Sequence, residues 1–327
     1  MPSNIRNTFL LNTLPVDIAI PAFIVEGEGT SLSENGKIQI VIDDRAGFCG
    51  GVKRVVRLAE QSLAKGEKIR SLGDLIHNDP EINRLKKQGL EIVDHSFIEA
   101  PENGSVLLIR AHGEPPSTFT NALEQNITLI DGTCPVVTKS QKIAREAYQR
   151  GEQVIIVGKK YHAEVKGIIG HCDGKAQAIM HEEDLEQIVL DRNLPVFVLA
   201  QTTISPEEFH AGVEWIRQRG YQVKIHDTLC RFVTGRDKDL TNFAATCDVI
   251  LIVGGHKSSN TKYLHSVCHE INPRSYQIED ETEIDFDWFQ DVKSIGVTGS
   301  ASTPPWMLER IHDVLEEKLN GICNENN

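Results

Sequence analysis

Short apolar runs recur along the chain without the in–out alternation of a half-exposed strand. IQIVID (38–43), VLLIRA (106–111), ITLID (127–131), VIIVG (154–158), VFVLA (196–200), VILIVGG (249–255) and SIGVTG (294–299) are rich in Val and Ile. Such runs predict strands covered on both faces, the state of a parallel sheet between helices. Helical periodicity takes over after some of them. Val52, Val55, Val56, Ala59 and Leu63 share one helical face. Val136, Val137, Ile143, Ala144 and Ala147 share another, behind Pro135, a residue suited to a first helical turn. The pattern of Val233, Leu240, Phe243 and Ala244 is a weaker version. The predicted class is α/β.

Three cysteines hold equivalent places in this pattern. Cys49 follows IQIVIDDRAGF, Cys134 follows ITLIDGT and Cys230 follows YQVKIHDTL, so each ends a strand and opens a helix. Counting 28 residues forward reaches His77, His162 and Ser258, each in the loop after a strand. A third strand-to-loop junction follows in each case: His112, then Thr202 and Thr203, then Ser302. The cysteines are 85 and 96 residues apart. One α/β unit of roughly a hundred residues used three times accounts for these spacings. The expected units are 39–131, 132–226 and 227–327, the last with a C-terminal tail, after an extension over 1–38. Three small parallel-sheet domains in pseudo-threefold arrangement would turn their strand C-terminal ends toward a common centre, where α/β proteins hold ligands.

Charge narrows the possible partners. Among 327 residues, 34 Lys and Arg face 47 Asp and Glu, a net charge of −13. A general nucleic-acid binder needs broad positive potential and is disfavoured. No apolar run approaches the roughly 20 residues of a membrane helix. Residues 1–38 set Arg6 and Lys37 against Asp17, Glu26, Glu28 and Glu34, which fits neither a signal nor a transit peptide. VDIAIPAFIVEG (16–27) reads as a strand-like extension. Seven cysteines, an odd number, read as thiols in a reducing cytoplasm and not as a disulfide scaffold.

A helix N-terminus favours thiolate, the metal-binding form, and all three repeat cysteines sit at one. Cys172, Cys247, Cys268 and Cys323 lack that context and read as structural. Structural zinc ligands cluster in sequence and no CxxC occurs, so three distant thiols suit a cubane iron–sulfur cluster better than zinc. A fully ligated cubane takes four cysteines; three leave one iron open, which implies catalysis. The remaining junction residues are His77, His112, His162, Thr202, Thr203, Ser258, Ser259, Asn260 and Ser302. They are hydrogen-bond donors at loop–helix boundaries and can hold a diphosphate without general basicity. Glu164, two residues past His162, can deliver a proton; a neighbouring anion would raise its pKa. No Walker loop, GxGxxG or HExxH is present, which disfavours nucleotide and zincin chemistry.

Eight segments then carry a resemblance: GFCGGV (47–52), IHN (76–78), AHGEPP (111–116), DGTCPVVTK (131–139), YHAEVKGIIGH (161–171), AQTTIS (200–205), SSN (258–260) and VTGSASTP (297–304). In order and spacing the chain resembles the 4-hydroxy-3-methylbut-2-enyl diphosphate reductase family from about residue 39 to 320. The resemblance implies a three-lobed α/β protein around a 4Fe–4S cluster held by Cys49, Cys134 and Cys230, with one iron lacking a protein ligand. It implies that His77, His112, His162, Ser258, Asn260 and Ser302 hold the diphosphate of an allylic substrate, with Ser259 close by. Glu164 would feed protons and Thr202 would lie near the substrate hydroxyl. The implied reaction removes that hydroxyl as water and yields isopentenyl and dimethylallyl diphosphates. A ferredoxin or flavodoxin would donate the electrons, and the open iron implies oxygen sensitivity. The chain departs from the family pattern at RFVTGRD after Cys230 and at Gly299-Ser300. The competing readings are a three-cysteine cluster dehydratase of the quinolinate synthase type, a non-catalytic cluster-binding sensor and a zinc protein.

Overall fold

The computed structural model describes residues 37–321; the strand-like reading of 16–27 and Cys323 lie outside them. Among the described residues, twelve strands form three sheets. They are β1 (Gln39–Ile42), β2 (Ile69–Leu72), β3 (Glu91–Val93), β4 (Val106–Ile109), β5 (Thr128–Asp131), β6 (Gln153–Val157), β7 (Gln177–Ile179), β8 (Val196–Ala200), β9 (Val223–His226), β10 (Val249–Val253), β11 (Ser275–Ile278) and β12 (Ser294–Gly299). The sheet orders are β3-β2-β4-β5, β7-β6-β8-β9 and β11-β10-β12-β1, and every pairing is parallel. The three-lobed α/β architecture is therefore the one expected, with the same strand order used three times.

Inner strands explain the unalternating apolar runs. Every residue of β8 and β10 is buried, and so are four of the five in β6. Helices cover both faces, as separate apolar clusters on the two sides of each sheet show. Edge strands β3, β7 and β9 are short or polar on exposed positions, so apolar runs alone do not mark them. Arg70 in β2 is buried because Glu91 and Glu102 meet it at 2.7 and 2.8 Å.

One expectation needs correction. The unit 39–131 was to begin with the strand at 39–42, but β1 pairs with β12, from Gln39↔Ser294 to Ile42↔Val297. Ile40 and Ile42 pack on the third-lobe core of Val297, Met307 and Ile311. The helix after Cys49, Gly50–Ala64, instead packs Val55, Val56 and Ala59 against Ile69 and Leu108 of the first lobe. Thus β1 takes the place that β5 and β9 hold in the other sheets, and the start of the described chain completes the last lobe. Arg236 locks this closure. It is buried, donates to the Gly299 carbonyl at 2.9 Å and to Thr298 Oγ1 at 3.2 Å, and pairs with Asp43. The weak helical pattern after Cys230 has the same origin. That helix stops at Thr234, and a new one starts at Asp237, which frees Arg236 to turn inward.

Candidate functional site

Each repeat cysteine ends up as the N-cap of the helix that opens its lobe: Gly50–Ala64, Pro135–Gln149 and Arg231–Thr234. Its own backbone N–H is held by the loop after the neighbouring strand. Cys49 donates to Ala301 at 3.0 Å, Cys134 to Ala111 at 2.9 Å and Cys230 to Thr202 at 2.8 Å. The next residues in those loops are Ser302, His112 and Thr203. One repeated hydrogen bond therefore couples each thiol to a polar side chain of the site. A Cβ added at Gly51 would lie 2.5 Å from Cys134 Sγ, so the last glycine of GFCGGV makes room for a sulfur from another segment.

Burial pushes the Cys49 and Cys134 thiols above their ordinary pKa; helix N–H groups oppose it, and the other cysteines add to it. The helix starts are expected to favour thiolate, but desolvation outweighs them. A bound metal reverses that balance by taking the thiolate directly. Among the described residues, the side chains close enough to grip one ion are His77, His112 and His162, and His256, Glu279 and Glu283; the three thiols are not among these groups. A mononuclear zinc site would bring its sulfurs to within about 3.8 Å of one another. Three thiols from three lobes around one cavity thus fit a larger, multi-iron group and not a closed zinc site.

The sequence-predicted residues meet in a single cavity enclosing about 770 Å³ of empty space, its mouth included. Its walls carry Cys49, Cys134, Cys230, His77, His112, His162, Glu164, Thr202, Thr203, Ser258, Ser259, Asn260 and Ser302. His77 and His112 ring centroids are 4.6 Å apart, and each lies within 5.5 Å of His162. His162 caps its helix with Nδ1, accepting from Glu164 N at 3.2 Å, which leaves Nε2–H aimed at His77 Nε2, 3.4 Å away. Desolvation lowers all three imidazole pKa values, His162 to about 3; ring repulsion adds to it at His112 and His162 and Arg110 adds at all three, whereas at His77 the Asp74 and Asp79 carboxylates oppose it. These are neutral donors, and Arg110, joined by Lys159 at His162, favours an anion beside His112 and His162.

Two polar atoms of the lining lack partners. His112 Nδ1 and Asn260 Oδ1 are sealed from solvent and meet none, the kind of vacancy that a ligand fills. Ser302 Oγ rests on the His77 carbonyl at 3.3 Å. Ser258 Oγ caps Thr261 N at 3.2 Å, so its side chain is engaged by the helix it starts. Ser259 Oγ accepts from Lys159 Nζ at 2.8 Å. Lys159 was missed by sequence reasoning, although the pair Lys159-Lys160 just before His162 was a readable signal. Gln201, which holds the Lys159 N–H at 3.0 Å, had no signal of its own.

Glu164 is 1% exposed. Thr202 N donates to its Oε1 at 2.7 Å and Thr202 Oγ1 to its Oε2 at 2.9 Å. Burial outweighs both bonds and raises its pKa to about 7. The elevation anticipated from a neighbouring anion is thus already supplied by the protein. His256, which falls off the 28-residue match, pairs instead with Glu283 at 2.9 Å on the exposed side.

Anion binding at the histidine trio would be pH-dependent. Lowered pKa values leave the free imidazoles neutral at pH 7, whereas a diphosphate beside them favours their protonated forms. Binding should therefore take up protons, and affinity should rise as pH falls from 8 to 6. Calorimetry of inorganic diphosphate binding in two buffers of different ionisation enthalpy checks this. Identical heats in both buffers would remove the proton uptake.

A family model described as LytB protein matches residues 40–316. The 4-hydroxy-3-methylbut-2-enyl diphosphate reductase of Phocaeicola vulgatus is 42% identical over 290 residues, covering 86% of this chain and 100% of its own length. The solved structure of (E)-4-hydroxy-3-methyl-but-2-enyl diphosphate reductase, the terminal enzyme of the non-mevalonate pathway, is similar at TM-score 0.66 and 35% identity, over 86% of this chain and 99% of that one. The Plasmodium falciparum E-1-hydroxy-2-methyl-but-2-enyl-4-diphosphate reductase has the same fold, at TM-score 0.76 and 24% identity over 86% of this chain and 89% of that one.

Proposed function

Since the chain belongs to the LytB protein family, we propose that it reduces 4-hydroxy-3-methylbut-2-enyl diphosphate, removing the allylic hydroxyl as water to give isopentenyl and dimethylallyl diphosphates. The reaction breaks one C–O bond and consumes two electrons and two protons. Cys49, Cys134 and Cys230 would hold a 4Fe–4S cluster with one iron free of protein ligands, which when bound supplies electrons and Lewis acidity. A ferredoxin or flavodoxin is the electron donor. Among the described residues, no helix is long and apolar enough to cross a membrane.

The chain's own residues do the rest. His77, His112 and His162 offer ring N–H groups to the diphosphate, and Ser258, Asn260 and Ser302 add hydroxyl and amide donors, with Ser259 close by. Burial raises the Glu164 pKa to about 7, so a large share of the carboxyl holds a proton near neutral pH, and it gives that proton to the departing hydroxyl oxygen. Thr202 holds both carboxyl oxygens, which aims the acid, and its own hydroxyl lies beside the substrate hydroxyl. Walls from three lobes surround the substrate, which limits the water that reaches the reduced carbon skeleton.

The observation that carries this reading is the meeting, in one cavity, of three thiols from three lobes, a set of imidazole, hydroxyl and amide groups and a fully buried acid. The test is anaerobic purification, reconstitution with ferrous iron and sulfide, and a substrate assay with and without dithionite. Consumption is expected only with the reductant. Reductant-free consumption would mark a dehydratase and overturn the reading, as would iron-loaded protein inert under both conditions.

A further inference from the structure

The cavity described above is walled by donors that carry no charge, yet a diphosphate brings several negative charges. Two cations stand near the imidazoles. Arg110 is committed: its guanidinium donates to the buried carboxylate of Glu114 at 2.9 Å. Lys159 is different. Its Nζ rests on a neutral hydroxyl, Ser259 Oγ, at 2.8 Å. Among the described residues no carboxylate forms an ion pair with it, in a chain with 47 acidic residues.

Its backbone is held as firmly as its charge is free. Lys159 follows β6, and its N–H donates to Gln201 Oε1 at 3.0 Å. Gln201 is fully buried and also donates from Nε2 to Thr203 Oγ1 at 3.1 Å. That bond fixes the lysine's starting point against the second-lobe loop that carries Thr202 and Thr203. The side chain then reaches across to the first residue of the third-lobe helix Ser259–Ile271. Beside this bridge lies a cleft of about 660 Å³ of empty space, which Lys159 lines and which shares Thr203 and Ser259 with the main cavity. A flexible ammonium parked at the junction can turn from Ser259 to a phosphoryl oxygen without losing its backbone anchor.

We propose that Lys159 is a further diphosphate-binding residue, a clasp between the second and third lobes that supplies the full positive charge the neutral donor set lacks. This rests on the diphosphate reading of the cavity. The direction of the effect follows from charge-assisted hydrogen bonding, which is stronger than the neutral kind.

The test uses iron-reconstituted, oxygen-free protein and inorganic diphosphate as probe, by calorimetry, beside steady-state kinetics on the allylic substrate. Lys159→Met removes the charge and keeps the stem, and should weaken inorganic diphosphate binding and raise KM by roughly tenfold or more, with kcat within about threefold. Lys159→Arg should recover most of the affinity. Lys160→Met, which removes the adjacent exposed charge, should leave affinity within about twofold. The proposal falls if Lys159→Met binds diphosphate like wild type, if Lys160→Met is equally impaired, or if wild type does not bind diphosphate. A wild-type protein that binds diphosphate through Lys159 but leaves the allylic substrate unchanged would retain the clasp and overturn the proposed reaction instead.

Discussion

Turnover by the Glu164→Gln protein is expected to fall by about two to three orders of magnitude, with little change in KM. The substitution keeps the shape of a side chain that is almost wholly buried, so no bulk water takes over the lost proton. The glutamine carbonyl can still accept from Thr202 N, and the Thr202 hydroxyl can turn to accept from the new amide. The pH profile separates a lost acid from a damaged fold. With a carboxyl pKa raised to about 7, the proton-bearing form is dominant below that pH and is depleted above it. The wild-type rate should decline as pH rises from 6 to 8, and the variant should lack that limb. Stability shifts the other way. A carboxyl whose folded pKa is raised contributes most below its unfolded value near 4.5, and that contribution is lost as pH rises toward 7. At pH 8 the variant, which has no charge to bury, should melt at or above the wild-type temperature. Turnover within about threefold of wild type, or an unchanged alkaline limb, would remove Glu164 from the proton route.

Serine at Cys49, Cys134 or Cys230 is expected to abolish both iron–sulfur loading and turnover. Serine is itself a favoured N-cap, so each helix keeps its start and the metal-free variants should melt near the metal-free wild type. That separates a missing ligand from a collapsed lobe. Because the three thiols come from three lobes, loss of any one opens the whole cradle, and all three variants should behave alike. Cys247→Ser provides the contrast. Its sulfur contacts the backbone region of Gly296 in the third lobe, away from the cavity, so iron content and visible absorption should be kept. The measurement is iron and sulfide per chain, with the visible spectrum, on oxygen-free preparations. Full iron loading in any of the three serine variants would overturn the ligand assignment.

Much of this site was readable before any coordinates. The 28-residue interval from each cysteine to His77, His162 and Ser258 works because every lobe runs from a helical stretch, broken in two in the third lobe, through a strand to a loop, and local periodicity reports local structure directly. The inner strands were legible for the same reason, since burial on both faces forces unbroken Val and Ile. Edge strands such as β7 and β9 were harder to see, since one face is wet and their residues are free to be polar. Arg70 in β2 defeats hydropathy in another way, by bringing its own carboxylate partners into the interior.

Spacing and residue type were thus sufficient for the α/β class, the threefold repeat, the three thiols and the uncharged donors around them, because each depends on neighbours within a few dozen residues. Three things depended on distant pairings and had no local mark. β1 belongs to the third sheet because Ile40 and Ile42 find their core more than 250 residues away. Glu164 is raised toward neutrality by burial that other segments impose. Lys159 meets Ser259 a hundred residues on, through folding that brings two lobes together.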